Sequence, residues 1–291
     1  MRKKTSPAEG PDGLVHQCRP SLSSATLEMV ADLIRAHLKK IGSRWRKLPP
    51  GKIALIVLAA LRHDQRLSDM ADGNDVSAST VRRWLLAAGC WLLAAGCWLL
   101  EVIVLLAARA PRLERALKKV TRSGGEVVLI DGTLVRTRRR TGEENRPNCS
   151  GKHKVHGLLF LALTDERGNL LWISAARPGR SSEIATARHD KVTTRLREAG
   201  LGALADLGFV GLDDDPDDPV IVTGRKAARG RPLTDAEKQA NRLVSRERAA
   251  NEHGFADLKS WRIPTKLRMN AEHGTALLRA LLVLTNAEIS R

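Results

Sequence analysis

Disulfide chemistry and a secretory leader are not expected from this sequence, and an acidic surplus is missing from it. Only four cysteines occur among its 291 residues, Cys18, Cys90, Cys97 and Cys149. They form neither a close metal-type pair nor a secreted framework, so a reducing, cytoplasmic compartment is expected. The opening MRKKTSPAEGPDG is basic and then polar, with no apolar core for a signal peptide; residues 1–22 read as a mobile tail. Long apolar runs are missing too, with one exception. Trp84 to Leu100 is uncharged over 17 residues, the lower edge of a membrane span, and Glu101 with the flanking arginines argues against one. Acid is scarce: 32 Asp and Glu stand against 49 Lys and Arg, a formal charge of +17. Such an excess implies a polyanionic partner, nucleic acid ahead of a membrane surface.

What is present divides into a helical front and an α/β back. From Ser23 to Lys40 the apolar positions Leu27, Val30, Ala31, Ile34 and Leu38 recur at helical spacing. Pro49-Pro50 opens a second helix to about Arg62, apolar nearly all round and therefore buried. LSDMADGNDVSASTVRRW, from Leu67 to Trp84, has the pattern of a helix-turn-helix presenting Ser79, Arg82 and Arg83 to a DNA groove. An ordinary helical pair in an all-α domain fits the same pattern. WLLAAGC then occurs at Trp84–Cys90 and again at Trp91–Cys97, an in-frame duplication within a linker helix that spans 85–122. Its 14 extra residues lengthen a helix by ~21 Å while nearly keeping its face. The expected units are a DNA-binding domain at 23–84, the linker, and a catalytic domain at 123–291.

After Gly124-Gly125 the pattern turns to strands. EVVLI runs into Asp131-Gly132-Thr133, placing a carboxylate at a strand end. A basic block follows, with Arg136, Arg138, Lys152 and Lys154 as candidate phosphate contacts. Two more strands, Val155–Thr164 and Asn169–Ala176, pair as a hairpin. A helix from Ser182 to about Ala199 comes next, and then a short strand ending at Asp206. LDDDPDDP reads as an exposed acidic loop rather than a metal cluster. Ser245 to Trp261, on a helix capped by Thr234 or Asp235, puts Arg248, Glu252 and Lys259 within ~40° of one another, beside Phe255. Alone, that stretch also describes a surface helix with salt bridges. Together, Asp131, Asp206 and Glu252 are three separated carboxylates of the kind that hold two Mg²⁺ ions for phosphoryl transfer, with Arg248 and Lys259 meeting backbone charge.

These residues resemble the DDE transposases of bacterial insertion sequences, in the group whose late helix carries Tyr-x2-Arg-x3-Glu-x6-Lys. Here that spacing holds Ser245, Arg248, Glu252 and Lys259. Asp131-Gly132-Thr133 is similar to the first carboxylate motif and Asp206-Leu207-Gly208-Phe209 to the second. The resemblance covers Ser123 onward, with SGKHKVHG, Pro178-Gly179 and LKSWRI adding to it. It implies a ribonuclease H-like catalytic domain, a mixed sheet flanked by helices, behind an all-α helix-turn-helix domain. It also implies two Mg²⁺ or Mn²⁺ ions, and cutting and joining of double-stranded DNA at terminal inverted repeats and target. A homodimer on the DNA, at the bacterial nucleoid, follows from the same resemblance. The chain departs from the pattern at Ser245, in a protein with no tyrosine, at Phe209, and at Ser182-Glu183, where the family has His-Asp. A remnant that only binds DNA, and a nuclease that does not join strands, remain as alternative readings.

Overall fold

A computed structural model describes residues 22–43, 49–64, 98–137, 142–213, 215, 217–267 and 270–289. The tail, the helix-turn-helix residues Ser79, Arg82 and Arg83, the duplicated WLLAAGC and Arg138 lie outside the described residues, as does the side chain of Glu252.

Strand β2 (Gly157–Thr164) is buried at every position, as GLLFLALT demands: an apolar run without alternation suits a strand covered on both faces. It pairs antiparallel with β3 (Leu170–Ile173), with the short β4 (Arg177–Pro178) and with β1 (Val127–Arg136). Beyond β1 the sheet turns parallel, through β5 (Gly202–Ala205) to β6 (Ile221–Thr223), in the order β3-β2-β1-β5-β6. Three antiparallel strands followed by two parallel ones, with helices on both faces, are the ribonuclease H-like arrangement that the sequence implied.

The period of two in the strands sorts side chains between the two faces. Leu161 and Leu163 of β2 join Val128 and Ile130 of β1 in the layer under α4 (Leu113–Arg122), α5 (Glu183–His189) and α6 (Val192–Ala199). Leu158, Phe160 and Ala162 face the other way, into a core shared with α1 (Ser24–Lys40), α2 (Pro50–His63), α3 (Trp98–Ala107) and α8 (Ala271–Ile289). Ser23 caps α1 through Thr26 N, and Glu288 near the end of α8 accepts from Ser23 N at 3.1 Å and Ser23 Oγ at 2.8 Å. Among the described residues no helix is long and apolar enough to cross a membrane.

Three expectations change. β1 does not stop at Ile130 but runs to Arg136, because Leu134 and Val135 keep pairing with Leu159 and Leu158. The expected single helix over Ser182–Ala199 is two, broken where Lys191 takes a left-handed φ of 54°. The acidic loop is not simply exposed. The Asp213 side chain is 4% exposed, accepts from Val220 N at 2.7 Å and pairs with Arg197 at 2.9 Å, pinning the start of β6.

Candidate active site

The site forms where two parallel strands part. Pairing of β1 with β5 runs from Val127↔Gly202 to Ile130↔Ala205 and ends, whereas pairing with β2 continues to Arg136↔Gly157. Asp131 and Asp206 are the next residues on the two strands, so their backbones leave the ladder as neighbours, roughly 5 Å apart. Asp131 Oδ1 accepts from Gly132 N at 2.8 Å. Asp206 Oδ1 accepts from Gly208 N at 2.7 Å and caps the 3₁₀ turn Leu207–Phe209, which the fully buried Phe209 anchors.

A third carboxylate, absent from the sequence-derived set, stands with them. Glu183 opens α5 behind its cap Ser182, whose hydroxyl accepts from Ala185 N at 3.0 Å. Its side chain is 15% exposed and lies 3.8 Å from Lys152 Nζ. Both motif glycines leave room for it. A Cβ on Gly132 would fall 2.6 Å from Glu183 Oε1, and one on Gly208 would fall 2.0 Å from Oε2. The signal in the sequence was Ser182-Glu183 after the Pro178-Gly179 turn, where the resemblance has a His-Asp pair.

The charge of the cluster is only partly balanced. Burial raises the Asp131 carboxyl above its ordinary range, Asp206 adds to the rise, and Arg248, the Gly132 N–H and Lys152 oppose it. Glu183 is raised by burial first and then by Asp206 and Asp131, against Lys152 and Arg248. Two half-buried acids raised by burial first and by a neighbouring carboxylate second mark a place where a cation would be favoured.

Arg248 arrives from α7 (Asp235–Lys259), its Nη2 3.6 Å from Asp131 Oδ2. Its Nε is buried with no acceptor among the described residues. Helix α7 starts in a full capping box, Thr234 with Glu237, and is seated by its apolar face: Phe255 and Leu258 are buried, and Trp261 Nε1 donates to Thr285 Oγ1 at 3.0 Å. Its backbone also touches the β2–β3 turn directly. A Cβ on Gly254 would lie 2.5 Å from Gly168 O, and one on Gly168, at φ +85°, would lie 2.3 Å from Ala250 O.

Of the other sequence candidates, Lys152 joins the cluster through Glu183, while Arg136, five residues or ~17 Å along β1 from Asp131, and Lys154 in its left-handed turn are exposed. Lys259 is exposed in the last turn of α7, eleven residues or ~16 Å along the helix from Arg248, so it does not share the cluster. Among the described residues no group of three or more His, Cys, Asp or Glu is close enough to hold a metal ion.

The model of the DDE superfamily endonuclease family matches residues 130–286, from the residue before Asp131 well into α8. The chain belongs to the DDE superfamily endonucleases. No curated protein matches it. Among solved structures, "Crystal structure of the Mos1 Strand Transfer Complex" is similar at 14% identity over 79% of this chain and 83% of that one, with a TM-score of 0.19. At that score the backbones do not overlay as wholes, and the family assignment stands on the family match. As a DDE endonuclease the chain places Asp131, Asp206 and Glu183 at the parting of β1 and β5, with Arg248 and Lys152 as their cations.

Proposed function

We propose that this DDE endonuclease is a transposase, cutting and joining DNA at the ends of a mobile element by metal-assisted phosphoryl transfer. The observation that carries the reading is the gathering of Asp131, Asp206 and Glu183 at one strand parting, facing Arg248 from α7. By residue type the set suits a hard divalent cation: all three are oxygen donors, burial and neighbouring carboxylates raise two of them, and the missing Cβ at Gly132 and Gly208 makes room for the Glu183 carboxylate, although as they stand the three do not close around an ion. Mg²⁺ or Mn²⁺, as a pair held by Asp131, Asp206 and Glu252, would activate the attacking oxygen and stabilise the leaving one. Position 252 follows Arg248 by four residues on α7, the spacing that keeps two positions on one helix face.

The chain's own groups do the rest. Arg248 opposes the rise of the Asp131 carboxyl, favouring its ionised form, and its unmatched Nε is a donor for a phosphate oxygen. Lys152 does the same for Glu183, which supplies a further oxygen at the site. Arg136, Arg138 and Lys154 grip the DNA backbone beside it, Lys259 meets the backbone further along α7, and the helix-turn-helix residues Ser79, Arg82 and Arg83 read the terminal repeats. Two copies of the chain would act together on paired ends.

The test is incubation of the full chain with Mg²⁺ and duplexes carrying the sequences that flank its gene. Nicked and joined products are expected, abolished by chelation and lowered at least ~100-fold in Asp131→Ala and Asp206→Ala. Cleaved ends that are never joined identify a plain nuclease. DNA binding without cleavage in any divalent metal overturns the catalytic reading and leaves a DNA-binding remnant.

A further inference from the structure

On the other face of the sheet, away from α7, helix α4 is divided sharply. Leu113, Ala116, Leu117 and Val120 are buried against the sheet layer. At ~100° per residue, Arg115, Lys118, Lys119 and Arg122 fall within about 100° of one another on the opposite side, and all four are exposed. Arg109 and Arg112, exposed in the corner that leads into α4, extend the row. These six line a groove of about 1490 Å³ whose other wall is the β2–β3 turn and the end of α8.

The groove is not neutralised from within. Among the described residues none of the six cations forms an ion pair, and the acids nearby are engaged elsewhere. Glu114 pairs with Arg195 of α6 at 3.1 Å, outside the row. Asp165 spends its carboxylate on the turn, accepting from Arg167 N at 3.0 Å, Asn169 N at 2.8 Å and Asn169 Nδ2 at 2.8 Å. Glu166 remains, beside Arg167 in the same turn. A solvated helix face in a soluble domain ordinarily mixes signs; this one carries four cations against one acid, Glu114, which Arg195 engages, over a ten-residue helix, ~15 Å, a length along which duplex DNA presents about nine charges. Val127, which also lines the groove, is four residues and ~13 Å along β1 from Asp131.

We propose that the α4 groove is a second duplex-binding surface of this endonuclease. It takes the phosphate backbone of DNA flanking the cut, without reading sequence. The proposal rests on the DNA-cleaving reading above and extends it to a face that no catalytic motif occupies.

The test uses the full chain and the triple variant Arg115→Ala, Lys118→Ala, Lys119→Ala, all at exposed positions on a helix where alanine is favoured. Affinity for a 30-base-pair duplex is followed by fluorescence anisotropy against salt, with thermal unfolding as the check that the variant is folded. Three lost phosphate contacts lower the slope of log K against log salt by about 2.7. In parallel, acetylation of Lys118 and Lys119 should be suppressed by bound duplex. An unchanged slope with unprotected lysines, in a protein that binds and cleaves DNA, overturns the groove and spares the transposase reading. A lowered slope with protected lysines and no cleavage upholds the groove and refutes the catalytic reading. A wild-type chain that binds no duplex overturns both.

Discussion

Gly254 sets two effects of opposite sign against each other on one helix. In an exposed helix interior, Gly→Ala is worth about 1 kcal/mol in favour of alanine. Here the new Cβ would stand 2.5 Å from Gly168 O and 3.0 Å from Thr164 Cγ2. The nearer atom is backbone, so no rotamer change relieves it; either α7 lifts or the β2–β3 turn deforms. Overpacking of this kind costs about 1–3 kcal/mol, and backbone against backbone belongs in the upper half of that range. The expected net effect of Gly254→Ala is a loss of about 1–2 kcal/mol, read as a urea midpoint lowered at constant m and a melting temperature down by about 2–8 °C. Ser245→Ala, exposed on the same helix, is the control and should gain a few tenths of a kcal/mol. Because α7 carries Arg248 to Asp131, cleavage should fall in Gly254→Ala and not in Ser245→Ala. If Gly254→Ala is instead stabilised by about 1 kcal/mol, propensity alone governs the position, and the seating of α7 on the turn is refuted.

Asp131→Asn and Glu183→Gln should each raise stability at neutral pH while abolishing or lowering cleavage. Both carboxyls are raised in the folded state, so the wild type gains stability as pH falls through the raised native value towards the ordinary carboxylate range. The advantage of each variant should therefore close in acid; calorimetry showing it widen there would contradict the assignment. Asp213→Ala strands the amides of Val220 and Ile221 and should cost about 1–3 kcal/mol by denaturant titration. Thr234→Ala removes the capping box and should cost about 1 kcal/mol, visible as faster amide exchange in the first turn of α7.

The strands and the carboxylates on them were legible in the sequence because both signals are local. EVVLI and GLLFLALT are apolar runs bounded by turn residues, and an acid with a glycine one or two residues on stands at the point where each parallel strand leaves its partner. The long helix was legible for the same reason, through a cap at Thr234 or Asp235 and the spacing of Phe255, Leu258 and Trp261. Glu183 was not, since what makes it a site residue is contact with Gly132 and Gly208 from distant parts of the chain. The same glycines read as turn chemistry until the carboxylate that fills their space is located. A shared helical angle also hides the ~16 Å of axial rise between Arg248 and Lys259, which puts Lys259 further along α7 than the cluster.

The tie between Ser23 and Glu288 bears on how the molecule is made. Val30, Ala31 and Ile34 of α1, and nearly every side chain of α2, are covered by a core that includes Leu277, Leu281 and Leu284 of α8. At ~5–20 residues per second, the ribosome needs roughly 12–50 s to pass from the end of α1 to that last helix. Throughout that interval α1 and α2 cover each other but lack the part of their shared core that α8 supplies. The front of the protein and the face of the sheet presented by Leu158, Phe160 and Ala162 are therefore completed by the same late helix, and the Ser23–Glu288 tie closes only when that helix has been made.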